Sequence, residues 1–168
     1  LNATPDSFSD GGLYDDPAAA ARRALEMREL GADIIDIGAE STRPGAERLE
    51  DTDEIRRLAP VLEAVRGVLR APVSVDTRHV RTARFALENG ASIINDVSGK
   101  PEETMAEAVK ESGAGWIIMH NPCGSSAVAE YPRGVIRAVR EFFEESLAAA
   151  EAFGVGPDRV CFDPGIGF

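Results

Sequence analysis

Gly31-Ala-Asp-Ile-Ile-Asp36 is followed along the chain by two close copies, Gly90-Ala-Ser-Ile-Ile-Asn95 and Gly113-Ala-Gly-Trp-Ile-Ile-Met119. Each copy begins with glycine, which tolerates the left-handed conformation common just after a helix, and then enters a short β-branched run. The repeat therefore predicts a helix end followed by a buried strand. Two further short apolar runs, at 72–76 and 160–163, both end on aspartate.

The segments between these runs have helical periodicity. Apolar residues fall on one helix face in two stretches, namely Ile55, Leu58, Leu62, Val65 and Leu69, and later Ile136, Val139, Phe143 and Leu147. The strands are short and apolar throughout, which is typical of a parallel sheet that is covered on both faces. Counting a strand end at Leu1, the pattern predicts about six strands with five helices between them.

Two α/β architectures fit this alternation, an open doubly wound sheet and a (β/α)8 TIM barrel. An open sheet concentrates its ligand groups at one switch point, whereas here nearly every strand has an unusual polar residue at its carboxyl end. This placement favours the barrel. Because such barrels need about 250 residues, we expect the 168 residues to form a single domain, 1–168, that covers the first six strands and is truncated at both ends.

The composition excludes some classes of function. A net charge of −11 argues against a broad basic surface for nucleic acid or anionic membrane. No apolar run approaches the ~20 residues of a membrane span, and no signal peptide is evident. Cys123 and Cys161 have neither metal-ligand spacing nor the density of a disulfide scaffold, so we expect reduced thiols and a cytoplasmic protein.

Three polar residues at strand ends, Asp76, Asn95 and Asp163, are the strongest candidates for a binding site. An ionised aspartate behind an apolar strand is costly unless it accepts hydrogen bonds, so three such residues at one barrel mouth indicate a donor-rich ligand. The alternative is that each caps the next helix.

Several segments together resemble dihydropteroate synthases. They are residues 1–12, Gly38-Ala-Glu-Ser-Thr-Arg-Pro-Gly45, Ser74-Val-Asp-Thr77, Ile94-Asn-Asp-Val-Ser-Gly99, Met119-His120 and Asp163-Pro-Gly-Ile-Gly-Phe168. The resemblance implies a transferase of folate biosynthesis that condenses 6-hydroxymethyl-7,8-dihydropterin diphosphate with 4-aminobenzoate, giving 7,8-dihydropteroate and diphosphate. It also implies a homodimer for the full-length protein, with small-molecule substrates only.

The resemblance assigns the diphosphate side of the site to residues near the first two strands. Asn2 would hold the diphosphate and its Mg²⁺, with Thr42 and Arg43 as further contacts to the diphosphate. Asp10 would lie near the developing positive charge. Phe8 would close over the second substrate, and Pro44 would form part of the wall against the aminobenzoate ring.

The pterin side follows from the same resemblance. Asp76 and Asp163 would accept hydrogen bonds from the amine and ring N–H groups of a 2-amino-4-oxopterin, and the amide of Asn95 would donate to its carbonyl and ring nitrogens. Ile117, Met119 and Phe168 would form the apolar walls on either side of the ring. We expect catalysis to depend on Asn2, Asp10, Arg43, Asp76 and Asp163.

One segment departs from the family pattern. After His120 the chain reads Asn-Pro-Cys-Gly-Ser-Ser, which puts loop contacts there in doubt. Two alternatives therefore stay open: a pterin-binding domain that passes a methyl group from methyltetrahydrofolate to a corrinoid, and a paralogue that binds a pterin without turning it over.

Overall fold

The computed structural model describes residues 1–3, 17–40, 49–122 and 130–167. Five α-helices lie in these segments: α1 Pro17–Glu29, α2 Asp51–Val65, α3 Val80–Glu88, α4 Glu103–Ser112 and α5 Val135–Ala152. Five strands alternate with them: β1 Ile35–Gly38, β2 Val73–Thr77, β3 Ile93–Asp96, β4 Gly115–Met119 and β5 Val160–Asp163. The alternation is the one that the repeated glycine-led segments predict.

The strands form one parallel sheet in the order β1-β2-β3-β4-β5. A doubly wound sheet would reverse its strand order at a switch point. The unbroken order, together with right-handed connections, places all the helices on the same side of the sheet. The fold is therefore α/β with the topology of a (β/α)8 barrel, and the barrel prediction is confirmed.

The expected first strand is present only as a bridge. Asn2 pairs in parallel with Gly38, Ala3 N–H donates to the Gly38 carbonyl over 2.7 Å, and Gly38 N–H donates to the Leu1 carbonyl over 3.1 Å. The described segments thus contain five strands and this bridge, which stands in the position of the first of the six predicted strands.

The core lies between the helices and one face of the sheet. Its strand residues alternate along the chain, as in Ile35 and Ile37 or Trp116 and Ile118, and all four are almost fully buried. The other face, which is concave in a barrel, bears the intervening residues. The period of two places consecutive residues of each strand on opposite faces.

The predicted apolar face of α5 is wrong at its start. Ile136 is 82% exposed, and the buried residues of this helix are Ser146 and Ala150. Small side chains allow α5 to approach the sheet closely, so the face that contacts the core is less hydrophobic than the periodicity suggested. None of the described helices is both long and apolar enough to cross a bilayer.

Candidate functional site

The carboxyl ends of the strands bring the candidate residues to the concave face of the sheet. Gly38, Asp76, Asn95 and Ile117 occupy one register row across β1 to β4. Neighbouring residues in register point to the same side of a parallel sheet. Asp76 and Asn95 therefore lie side by side, as the sequence predicted.

Gly38 makes room for Asp76. A Cβ at position 38 would lie 3.4 Å from Cβ and Oδ2 of Asp76, so a side chain there would be in van der Waals contact with the carboxyl group. Because Gly38 has no side chain, the Asp76 carboxyl is not covered by β1 on the concave face. This is a local reason for glycine at the end of β1.

Burial, followed by the negative charges of Asp36, Glu54 and Glu40, raises the pKa of Asp76 to about 7, while the positive charge of Arg78 opposes this shift. The sequence had suggested a fully ionised carboxylate. Its raised pKa instead favours the protonated carboxyl at a higher pH than is usual for aspartate. A ligand that donates hydrogen bonds or carries positive charge would favour the ionised form.

Helix capping does not explain these polar residues. The N-cap residues of α3 and α4 are His79 and Glu102, and neither helix has a side-chain cap hydrogen bond. Asp76 and Asn95 lie earlier in the chain, inside their strands. Their side chains are therefore available for a ligand.

Asp163 ends β5 opposite Met119 of β4. Its Oδ1 accepts a hydrogen bond from Gly165 N–H over 2.8 Å, and its carbonyl accepts from His120 N–H over 2.8 Å. One carboxylate oxygen is thus committed to the following turn. Met119 shares its face with Ile117, so these two residues form an apolar strip between Asn95 and Asp163, and their role as walls of a pterin pocket stays a prediction.

Two glycines pack tightly against the chain after β4. Gly165 has φ +67°, and a Cβ there would overlap the carbonyl oxygen of His120. Gly99 has φ +84°, and a Cβ there would overlap the carbonyl oxygen of Asn121. The amide of Asn121 also donates to the Val97 carbonyl over 3.2 Å. The loops after β3, β4 and β5 are thereby held together around the site.

The close approach at Gly165 leads to a stability prediction. Gly165→Ala should lower the free energy of unfolding by about 1–3 kcal/mol more than Gly167→Ala. Gly167 also has positive φ (+102°), but no atom of the described segments lies within 4 Å of the position that a Cβ would take, so the control contains the backbone strain without the overlap. Urea denaturation measures both variants, and equal losses would contradict the packing argument.

With this geometry described, comparison with known proteins identifies the family. A family model described as "Pterin binding enzyme" matches residues 1–168. The chain belongs to the pterin binding enzyme family. Dihydropteroate synthase of Synechocystis sp. is 42% identical over an alignment of 172 positions, which covers 100% of this chain and 59% of that protein.

Solved structures of dihydropteroate synthases have the same fold as this chain. Dihydropteroate synthase from Clostridium difficile, crystallised in the presence of pteroic acid, superposes with a TM-score of 0.90 at 38% identity, covering 100% of this chain and 63% of that one. The enzyme from Xanthomonas albilineans with 4-aminobenzoic acid gives 0.90 at 39% identity, covering 100% and 60%. The chain therefore spans about 60% of the length of these family members.

Half of the predicted site residues lie outside the described residues, namely Phe8, Asp10, Thr42, Arg43, Pro44 and Phe168. Their assigned roles stay predictions. The structure does show the residues that flank 41–48: Glu40 pairs with Arg78 over 2.6 Å and accepts from Leu49 N–H over 3.4 Å. The two flanks of this segment are thus joined beside the end of β2.

Asn2 is the metal residue that the resemblance predicts, and it is exposed next to the end of β1. Among the described residues, no group of three or more His, Cys, Asp or Glu side chains is placed to hold a metal ion. Mg²⁺ commonly binds through one or two protein oxygens together with substrate phosphates and water. A single amide oxygen from Asn2 fits that mode, whereas a metal site built from protein ligands alone does not.

Sequence reasoning missed Asp36. This residue lies on the concave face, and its Oδ2 is 3.5 Å from Nδ2 of Asn95. The signal was present in the repeat, because Asp36 and Asn95 occupy the same position in Gly31-Ala-Asp-Ile-Ile-Asp36 and Gly90-Ala-Ser-Ile-Ile-Asn95. Asn95 also differs from expectation: its Nδ2 is directed to Asp36, and its buried Oδ1 has no hydrogen-bond partner within the part of the chain that the structure describes.

Proposed function

We propose that this chain is the larger part of a dihydropteroate synthase, which joins 6-hydroxymethyl-7,8-dihydropterin diphosphate to 4-aminobenzoate with release of diphosphate. One observation carries the proposal: the concave face presents the carboxyl of Asp76 beside a buried oxygen of Asn95 that no other described residue pairs with. Both are hydrogen-bond acceptors, and a 2-amino-4-oxopterin offers matching N–H donors. The family supports the same substrate class.

The proposed chemistry is a substitution at the methylene carbon of the pterin. The carbon–oxygen bond to diphosphate breaks, the amine nitrogen of 4-aminobenzoate forms the new bond to carbon, and the nitrogen then loses a proton. Asp76 and Asp163 would hold the ring by accepting its N–H groups. Their negative charge would stabilise positive charge that develops on the pterin as the leaving group departs.

The diphosphate would be bound by Asn2, Thr42 and Arg43, since a guanidinium matches phosphate oxygens in bidentate fashion. Mg²⁺, held by Asn2 and the diphosphate, would neutralise charge on the leaving group. Asp10 and Phe8 would lie over the reacting atoms, and Pro44 and Phe168 would contact the two rings. A homodimer and a cytoplasmic location complete the proposal.

Diphosphate release tests this function. The full-length protein, supplied with both substrates and Mg²⁺, should release diphosphate and form dihydropteroate in equal amounts. Release that requires no 4-aminobenzoate would indicate simple hydrolysis. Binding of the pterin without release would favour the non-catalytic paralogue, and methyl transfer from methyltetrahydrofolate to a corrinoid would favour the second alternative.

The raised pKa of Asp76 predicts a pH dependence of pterin binding. Only the ionised carboxylate accepts from two N–H groups, so the association constant should rise with pH and level off above the pKa of about 7. Below it the slope should approach about one logarithmic unit per pH unit. Calorimetry between about pH 5.5 and 7.5, with a pterin that does not titrate in this range, measures the slope.

Asp96 provides the control for this experiment. Burial raises its pKa to about 6, but the residue lies on the helix side of the sheet, where Trp116 Nε1 donates to it over 3.3 Å. Asp96→Asn should leave the pH dependence of pterin binding unchanged. If this variant binds with no slope, the titration belongs to Asp96 and the assignment to Asp76 is wrong.

A further inference from the structure

Asp36 has no role in the function proposed above, yet it lies on the same concave face as the pterin residues. Its carboxylate reaches across β2 toward Asn95, with Oδ2 and Nδ2 3.5 Å apart. Ser74, which pairs with Asp36 in register, has a small and almost fully buried side chain on the intervening strand. A bulky residue on β2 would separate Asp36 from Asn95.

The orientation of the Asn95 amide decides what the site offers a ligand. Rotation by 180° about the Cβ–Cγ bond exchanges the carbonyl oxygen, which accepts hydrogen bonds, and the NH₂ group, which donates two. The neighbouring groups determine which of these two orientations is favoured. Directing NH₂ toward the Asp36 carboxylate is favourable, whereas directing the carbonyl oxygen toward it would oppose two negative charge densities. A hydrogen bond to an ionised group is also stronger than one between neutral groups.

This orientation leaves the opposite end of the amide for a ligand. Oδ1 of Asn95 is buried and has no partner among the described residues, and the same holds for the hydroxyl of Ser74. An unpaired buried acceptor is unfavourable unless a ligand supplies a donor. The charge of Asp36 also acts on the site, since it is the second largest cause of the raised pKa of Asp76.

We propose that Asp36 is a positioning residue, which accepts from Nδ2 of Asn95 and thereby presents Oδ1 of that amide to the N–H donors of the ligand. The site is then an acceptor surface composed of Asp76, Asn95 and Asp163. The consequence for ligand choice rests on the proposed function, but the orientation of the amide does not. Such a site is specific for a ligand ring whose edge carries several hydrogen-bond donors.

The first test uses the full-length protein without ligand. Nuclear magnetic resonance follows hydrogen exchange of the Asn95 side-chain amide, with the signal assigned by its loss in Asn95→Ala. Asp36→Ala should speed this exchange by at least about fivefold. Asp33→Ala, which removes an exposed carboxylate three residues earlier, is the matched control and should not change it. Equal rates in wild type and Asp36→Ala overturn the proposal.

The second test is a double-mutant cycle on the affinity for a 2-amino-4-oxopterin without diphosphate. Asp36→Ala and Asn95→Ala should each weaken binding about tenfold, and the double variant should bind within about twofold of Asn95→Ala alone. Independent, additive losses overturn the proposal. Asp36→Asn retains an acceptor oxygen and should lose less affinity than Asp36→Ala, and it replaces that variant if the alanine protein does not fold.

The two tests separate this inference from the proposed function. If wild type does not bind the pterin but the exchange rate changes as expected, the function is wrong and the positioning role stands. If wild type binds the pterin and the exchange rate does not respond to Asp36→Ala, the positioning role is wrong and the function stands.

Discussion

Replacing Asp76 by asparagine should weaken binding of a 2-amino-4-oxopterin by roughly 30- to 1,000-fold, or about 2–4 kcal/mol. In the proposed complex the carboxylate would accept from two N–H groups, whereas the amide would offer one acceptor and place donors against donors. The replacement fits without steric change because the carboxamide of asparagine has nearly the same shape and volume as the carboxylate. Calorimetry with the full-length protein above pH 7, where Asp76 is ionised, gives the largest difference.

The same substitution should stabilise the ligand-free fold at high pH. Because the pKa of Asp76 is raised to about 7 from its ordinary value of 3.8, the folded state binds more protons than the unfolded state between these two values. Stability is therefore lost as the pH rises through this window. The melting temperature of Asp76→Asn should exceed that of wild type at pH 8 by more than at pH 4.

This opposite effect on stability makes the binding result interpretable. A variant that melts higher and binds less has lost a ligand contact, since unfolding cannot explain the weaker binding. Asp96→Asn is the matched control, because Asp96 is a buried aspartate in the next register row, on the opposite face. Undiminished affinity in Asp76→Asn would exclude Asp76 as a pterin contact.

The sequence predicted the fold well because its signals are local. A glycine at the end of a helix followed by a β-branched run fixes both element types within seven residues, and the polar strand ends distinguish a barrel from a doubly wound sheet. The face of α5 was less predictable. Its contact with the sheet depends on small residues such as Ser146 and Ala150. A search for periodic large apolar residues does not detect such a face.

The sequence predicted which residues lie at the candidate site, but it did not predict which of their groups donate and which accept hydrogen bonds. Asn95 and Asp96 are neighbours in sequence, and strand alternation places only Asn95 on the concave face. The donor or acceptor role of its amide depends on Asp36, which is far away in sequence and two strands away in space. The pKa of Asp76 likewise depends on burial and on charges from other segments, so no local motif could predict it.

Replacing Asp163 by asparagine should also weaken pterin binding by about 2–4 kcal/mol, and here the structure limits the change to one atom. Oδ1 already accepts from Gly165 N–H over 2.8 Å, and the amide oxygen of asparagine can retain this bond. The NH₂ group then replaces the other oxygen, which accepts no hydrogen bond from the described residues and which in the proposed complex would accept from the ring. The turn should persist while the acceptor is lost.

A second variant separates the two roles of Asp163. Asp163→Ala removes the turn hydrogen bond as well as the ligand contact, so it should lower both the melting temperature and the pterin affinity, whereas Asp163→Asn should lower the affinity alone. Asp158→Asn makes the same change at an exposed position just before β5 and should affect neither. If Asp163→Asn binds the pterin as wild type does while Asp163→Ala does not, Asp163 holds the Pro-Gly turn and is not a ligand contact.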